Sequence, residues 1–375
     1  MPKINKIVLA FDSFKGSASS TELADAARQA ILGEIPQCKI AQFAIADGGE
    51  GTTAAICSAI ESRVVECDTT DPLMRPISTQ YNITPDGVAI MEMASASGLT
   101  LVEPHLRNPL VTTTYGTGEM ILDAISKGCR TIILGIGGSA TNDAAIGLLS
   151  ALGIRFYDKE GNPTLELCKV ADFDIREINP DVKNTKFIIA CDVNNPFYGD
   201  RGAAHIYSPQ KGASPSQVEE LDAGLRNFAA LVKTKLGINL QEIPGTGAAG
   251  GMGGGLLAFL NATLKPGIDT ILEMIGFDKE VADASAVFTG EGRIDSQSGM
   301  GKAIGGIIKL AQKHNVPVIA IGGSVADDVD ADKLGLLAAM SIQQGPFLLE
   351  DSMKKENTLK NVEKTIKQIT RLISL

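Results

Sequence analysis

Five consecutive apolar residues, 7–11 in KIVLAF, lie between a lysine and an aspartate, the pattern of a short strand buried on both faces. The polar stretch DSFKGSASS follows, and then a helix is predicted. Ser19 and Glu22 have capping-box spacing, and Leu23, Ala26, Ala27, Ala30 and Ile31 recur on one helical face. The unit repeats with an apolar run at 43–46, the loop DGGEGT, a helix through Ile60 and a strand at 63–67. Strand, loop, helix, strand predicts a parallel α/β sheet. From about Thr70 the texture changes. DPLMRP is turn-rich, and the strand-like runs 77–83 and 88–93 flank Pro85-Asp86-Gly87 as in a hairpin. Next come a helix from Gly116, the strand TIILGI, a helix after GGSATND, the strand KFIIACD, and a helix after Ser214 with Pro215 and Gln217 in its first turn. The strand-loop-helix rhythm returns at Ala286 with VPVIAIGGS at 316–324, and the chain ends in an amphipathic helix from about Leu359. The first and last segments are therefore expected to form one discontinuous domain, residues 1–72 with 281–375. Residues 73–280 form an inserted second one.

Composition narrows the function class. A chain of 375 residues exceeds what one core usually serves, which agrees with two domains. The net charge of −10, with no long basic run, argues against nucleic acid as a partner and for small-molecule chemistry. Six cysteines lie far apart without a C-x-x-C pair and read as reduced thiols of a cytoplasmic protein. No stretch approaches about 20 uninterrupted apolar residues, so no membrane span is expected.

Polar residues placed just after apolar runs are the candidates for chemistry, because open α/β sheets bind ligands beyond the carboxyl ends of their strands. Several such places pair a carboxylate with glycine: Asp12 with Lys15 and Gly16; Asp47 and Glu50 in DGGEG; Ser139, Asn142 and Asp143 after Gly137-Gly138; Asp192 in CDVNNP; Glu291 with Asp295. One aspartate after a strand is usually a helix cap. Five such groups converging would repel one another unless a cation or lysines sat among them, the arrangement that phosphoryl transfer from a magnesium nucleotide requires. The Gly-Lys at 301–302 is not a P-loop, since Ser296 replaces the first glycine and Ala303 follows Lys302. PQKGASPS sets Lys211 and Gly212 before a capped helix, whose free N–H groups favour phosphate. The run GTGAAGGMGGGLL includes Gly250, Gly251 and Gly253 and contains a literal G-x-G-x-x-G, yet Pro244 and INLQEI before it are a poor strand. A flexible loop approaching phosphate, or a hinge, is expected there. A nicotinamide-dependent hydroxy-acid dehydrogenase and a non-catalytic nucleotide-binding protein are the rival readings. His105, His205 and His314 have no metal spacing, and no G-x-S-x-G elbow occurs.

The blocks FDSFKGS, ADGGEGT, GTGE, GGSATND, CDVNNPFYG, PQKGA, GAAGGMGGG and TGEGRIDSQ, in this order through nearly the whole chain, resemble the bacterial glycerate kinase family of the glycerate 2-kinase type. The resemblance implies ATP- and Mg2+-dependent phosphorylation of D-glycerate, at the 2-hydroxyl rather than the 3-hydroxyl. It also implies two unlike α/β domains, one flavodoxin-like and discontinuous, with the active site in an interdomain cleft. Monomer and homodimer both stay open. Ala144-Ala145 stands where glycine is expected in the family. On this reading Asp192, at a rigid strand end, is the base, and Lys15 and Lys211 neutralise the transferred phosphoryl group. Asp47 and Glu50 hold magnesium. Arg201 or Arg293 grips the glycerate carboxylate, with hydrogen bonds from Ser139 and Asn142, while Gly212, Gly250, Gly251, Gly253, Glu291 and Asp295 serve the nucleotide.

Overall fold

A computed structural model of the protein describes residues 4–45, 53, 56–57, 60–299 and 303–374. Asp47, Glu50 and Lys302 lie outside the described residues. The chain divides into two compact units, Met1–Ile60 with Gly267–Leu375, and Glu61–Pro266.

In the first unit β1 (Lys6–Phe11), β2 (Lys39–Ala44), β11 (Ala286–Ile294), β12 (Val318–Val325) and β13 (Ala338–Ser341) form one sheet in the order β2-β1-β11-β12-β13. Every neighbouring pair is parallel. Counted along this unit alone, the order is 2-1-3-4-5, the flavodoxin-like arrangement. Side-chain alternation gives the sheet two cores. Ile7, Leu9 and Phe11 pack with Leu23 and Ile31 of the Ser20–Glu34 helix and Val362 and Ile366 of the Lys355–Ile373 helix. Val8 and Ala10 face Ile304 and Ile307 of the Ala303–Lys313 helix. The capping box of Ser19 and Glu22 is formed. The last helix starts at Lys355, ahead of the expected Leu359, because its first turn is polar and carries no apolar signal.

The second unit holds a mixed sheet of β3 (Arg63–Thr70), β4 (Pro76–Ile83), β5 (Val88–Glu92), β6 (Thr131–Gly135), β9 (Lys186–Ala190) and β10 (Thr263–Lys265), ordered β10-β9-β6-β5-β4-β3. The pairs β3/β4 and β4/β5 are antiparallel, and the rest are parallel. A small antiparallel pair, β7 (Arg155–Tyr157) and β8 (Asp172–Asp174), stands beside it. The predicted hairpin is β4/β5, with Gly87 at φ 80° in its turn.

Two boundaries move from their expected places. The first falls after residue 60, not 72, because β3 pairs along its whole length with β4, from Arg63↔Ile83 to Thr70↔Pro76. The second falls after residue 266, not 280. Helices Gly267–Met274 and Phe277–Val281 bury Ile268, Leu272, Phe277 and Val281 in the same core as Ile304 and Ile307.

The glycine-rich run opens in turns and continues into a helix that is kinked at its start. It starts the Ala248–Leu260 helix, where Ala249, Gly250 and Gly251 take left-handed φ of 51°, 69° and 87° and the glycines are buried. A Cβ on Gly250 would stand 2.2 Å from the Thr141 carbonyl oxygen. Glycine is thus required for backbone to lie on backbone. Among the described residues no helix is long and apolar enough to cross a membrane.

Candidate functional site

In the first unit the strand order reverses between β1 and β11, where doubly wound sheets place their ligands. Asp12 follows β1 and is buried; its N–H donates to the Gly290 carbonyl at 2.9 Å, and its Oδ1 accepts from Ser13 N–H at 2.6 Å. Residues 14–18 then close a tight turn, with Gly16 at φ 76° and Lys15 exposed. Beside this turn β11 runs on past the end of β1 and carries Glu291, half-buried opposite Gly322, and Arg293, exposed opposite Ser324. A Cβ on Gly292 would lie 3.8 Å from the backbone nitrogen of Lys15, so the two segments are adjacent. Asp295 turns the chain locally, its Oδ1 accepting from Gln297 N–H at 2.9 Å and its N–H donating to Ser298 Oγ at 3.0 Å.

In the second unit the carboxyl ends of the adjacent parallel strands β6 and β9 carry GGSATND and CDVNNP. Lys211 is the centre of this group. It ends a short helical turn, Pro209–Lys211, and is 1% exposed. Its Nζ donates to Ser139 Oγ at 2.7 Å and to the Thr141 carbonyl at 2.6 Å. Burial pulls its pKa down to about 7, partly offset by the charge of Asp143. The lysine expected at a helix entrance is therefore a desolvated one.

Asp143 lies in the same buried segment. It accepts from Thr114 N–H at 2.9 Å, Thr114 Oγ1 at 2.8 Å, and the N–H groups of Ala145 and Gly147 at 3.2 Å each. Burial raises its pKa and these four donors oppose the rise. Asn142 Oδ1 accepts from Ser208 Oγ at 2.9 Å, while Asn142 Nδ2 and Thr141 Oγ1 are buried with no partner. An unmet buried polar group costs about 1–3 kcal/mol, and folds retain such costs chiefly at functional sites. Ala144 and Ala145 hold left-handed φ of 49° and 66°, a backbone that favours glycine and costs an alanine about 1–2 kcal/mol. Gly137 and Gly138, ahead of Ser139, are exposed.

Asp192 stands exposed two residues beyond β9, and Arg201 is exposed nearby in sequence, its carbonyl accepting from Asn195 Nδ2 at 2.8 Å. Gly212, at φ 94°, abuts Arg107. Gly250 faces Thr141 and Asn142, Gly251 faces Leu225, Phe197 and Ala144, and Gly253 faces the Gly245 carbonyl. The structure thus joins Lys211, Ser139, Asn142 and Gly250 in one unit, and sets Lys15 beside Glu291 and Arg293 in the other. Thr114, Thr141 and Ser208 carry the second cluster and escaped sequence reading, since Thr114 and Ser208 lie outside the blocks singled out and Thr141 sits unremarked inside GGSATND. Among the described residues no group of three or more His, Cys, Asp or Glu is arranged to hold a metal ion.

A family model described as "Glycerate kinase family" matches residues 7–374. A glycerate 2-kinase of Escherichia coli K12 is 44% identical over 355 residues, 93% of each chain. A glycerate kinase of Bacillus subtilis 168 is 41% identical over 376 residues, 99% of this chain and 98% of the relative. A crystal structure assigned as a glycerate kinase 2 of Salmonella typhimurium LT2 superposes with a TM-score of 0.84 at 39% identity, covering 99% of this chain and 98% of that one.

Proposed function

We propose that this chain, which belongs to the glycerate kinase family, transfers the terminal phosphoryl group of ATP to the 2-hydroxyl of D-glycerate, releasing ADP and 2-phospho-D-glycerate. The observation that supports it most is Lys211, a buried amine held against Ser139 and Thr141 beside the exposed Gly137-Gly138 turn. Phosphoryl transfer asks a protein mainly for positioning and positive charge around the moving group. Lys211 and Lys15 are the lysines proposed for that charge. An amine with a pKa near 7 takes up a proton as an anion arrives, so its charge appears where it is needed. Ser139 and Asn142 are proposed to orient the acid substrate, and Glu291 and Asp295 the nucleotide.

Asp192 is proposed as the base that accepts the 2-hydroxyl proton. It is exposed at the end of a rigid parallel strand, on the same sheet edge as Ser139. Magnesium, when bound, supplies charge neutralisation across the phosphates, and Asp47 and Glu50 are the proposed holders. The 2-position follows the activity named for the Escherichia coli relative.

Phosphorus NMR of the product tests reaction and position together. A 2-phosphate couples to one carbon-bound proton and gives a doublet, whereas a 3-phosphate couples to two and gives a triplet. The doublet is expected, with ADP formation requiring both D-glycerate and Mg2+. A triplet would reassign the position, and no phosphoester with D-glycerate would overturn the reading.

A further inference from the structure

The carboxylate of an acid substrate needs a cation, and the sequence offers Arg201 and Arg293. Both are exposed, where water screens an ion pair to little net value. Arg107 differs. Among the described residues, five arginines make no ion pair, and Arg28, Arg63, Arg201 and Arg293 are all exposed while Arg107 is half-buried. Its guanidinium is held by carbonyls alone: Nε donates to Val102 at 3.2 Å and Nη2 to Leu99 at 3.5 Å. Carbonyls fix the direction of the fork without cancelling its charge, and Nη1 stays uncommitted.

Arg107 is tied both to the segment carrying Ser139 and to the residue next to Lys211. On one side Leu99 N–H donates to the Gly138 carbonyl at 2.9 Å, and Gly98 bridges Ser139, the acceptor of Lys211. On the other side Gly212 follows Lys211 directly. A Cβ there would stand 2.4 Å from the Arg107 carbonyl oxygen and 2.9 Å from its Cβ. Arg107, Lys211 and the exposed Gly137-Gly138 turn therefore belong to one assembly within one unit.

We infer that Arg107 grips the carboxylate of the acid substrate and selects a hydroxy carboxylate over its uncharged analogues. A planar guanidinium matches two carboxylate oxygens, whereas an ammonium acts as a point charge suited to the moving phosphoryl group. The inference rests on the glycerate reading above and deepens it.

Calorimetric titration of the full-length protein with D-glycerate tests it. Arg107→Gln should raise the glycerate Kd about 10- to 100-fold, the range for hydrogen bonds to a charged group. Its ATP affinity should stay within about threefold of the parent. Arg107→Lys, which keeps the charge and loses the fork, should fall between the two. Glyceramide, the neutral amide, should bind both proteins alike, which a merely structural role for Arg107 would not give. An unchanged glycerate Kd, a loss falling on ATP, or an equal loss for the amide would overturn the inference. Product NMR of the parent protein decides the activity separately, since the affinity ratio is read without turnover.

Discussion

A lysine sealed from water is costly as an ammonium, and the cost has a sign that experiment can read. With a folded pKa near 7 and an ordinary value of 10.5, Lys211 binds fewer protons in the folded chain than in the unfolded one between those two values. Its contribution therefore disfavours folding most below pH 7 and is relieved as pH rises towards 10.5. The denaturant midpoint of the parent, relative to Lys211→Met, should rise from pH 6 to pH 9, and a flat difference would mean the amine is not desolvated. Asp192→Asn is expected to cut turnover by at least about 100-fold, the scale of a general base, while ATP binding persists. Near-normal turnover would remove Asp192 from that role. Lys211 stood out in the sequence because Lys-Gly precedes a capped helix. Its burial did not, because Ser139 and Thr141 lie 72 and 70 residues away.

Elements with local causes were readable in advance. The Ser19–Glu22 and Ser214–Gln217 capping boxes form as their spacing predicts, and the hairpin turn at Gly87 follows from its flanking alternation. The packing of the glycine run was not legible, since its contacts are with residues 141–145, far away in sequence. Two alanine substitutions separate these cases. Gly87 has a left-handed φ and open space, so Gly87→Ala should cost about 1–2 kcal/mol. Gly250 has the same backbone and the Thr141 carbonyl in the way, so Gly250→Ala should cost about 2–4 kcal/mol, overpacking added to strain. Thermal melts of the two variants check the order, and equal losses would remove the backbone collision as a cause.

For the whole molecule, the alternation of strands and helices announced the parallel sheet of the first unit, and the return of that rhythm at Ala286 announced a discontinuous domain. The boundaries were misplaced by 12 and 14 residues because pairing and core membership, which set them, are long-range properties that local texture does not carry. Residues 61–266 have a sheet and a core of their own. Expressed alone they should unfold in one cooperative transition, monitored by circular dichroism, and a non-cooperative melt would mean that the core needs the rest of the chain.

The central place of β1 has a consequence for synthesis on the ribosome. Its neighbour β11 begins at Ala286, and Thr289 reaches back 279 residues to the Ala10 carbonyl. While residues 61–266 can condense as they emerge, the opening strand must wait, one edge bare, until nearly the entire message has been read. A nascent chain stalled before that point would present KIVLAF to chaperones and to its neighbours alike.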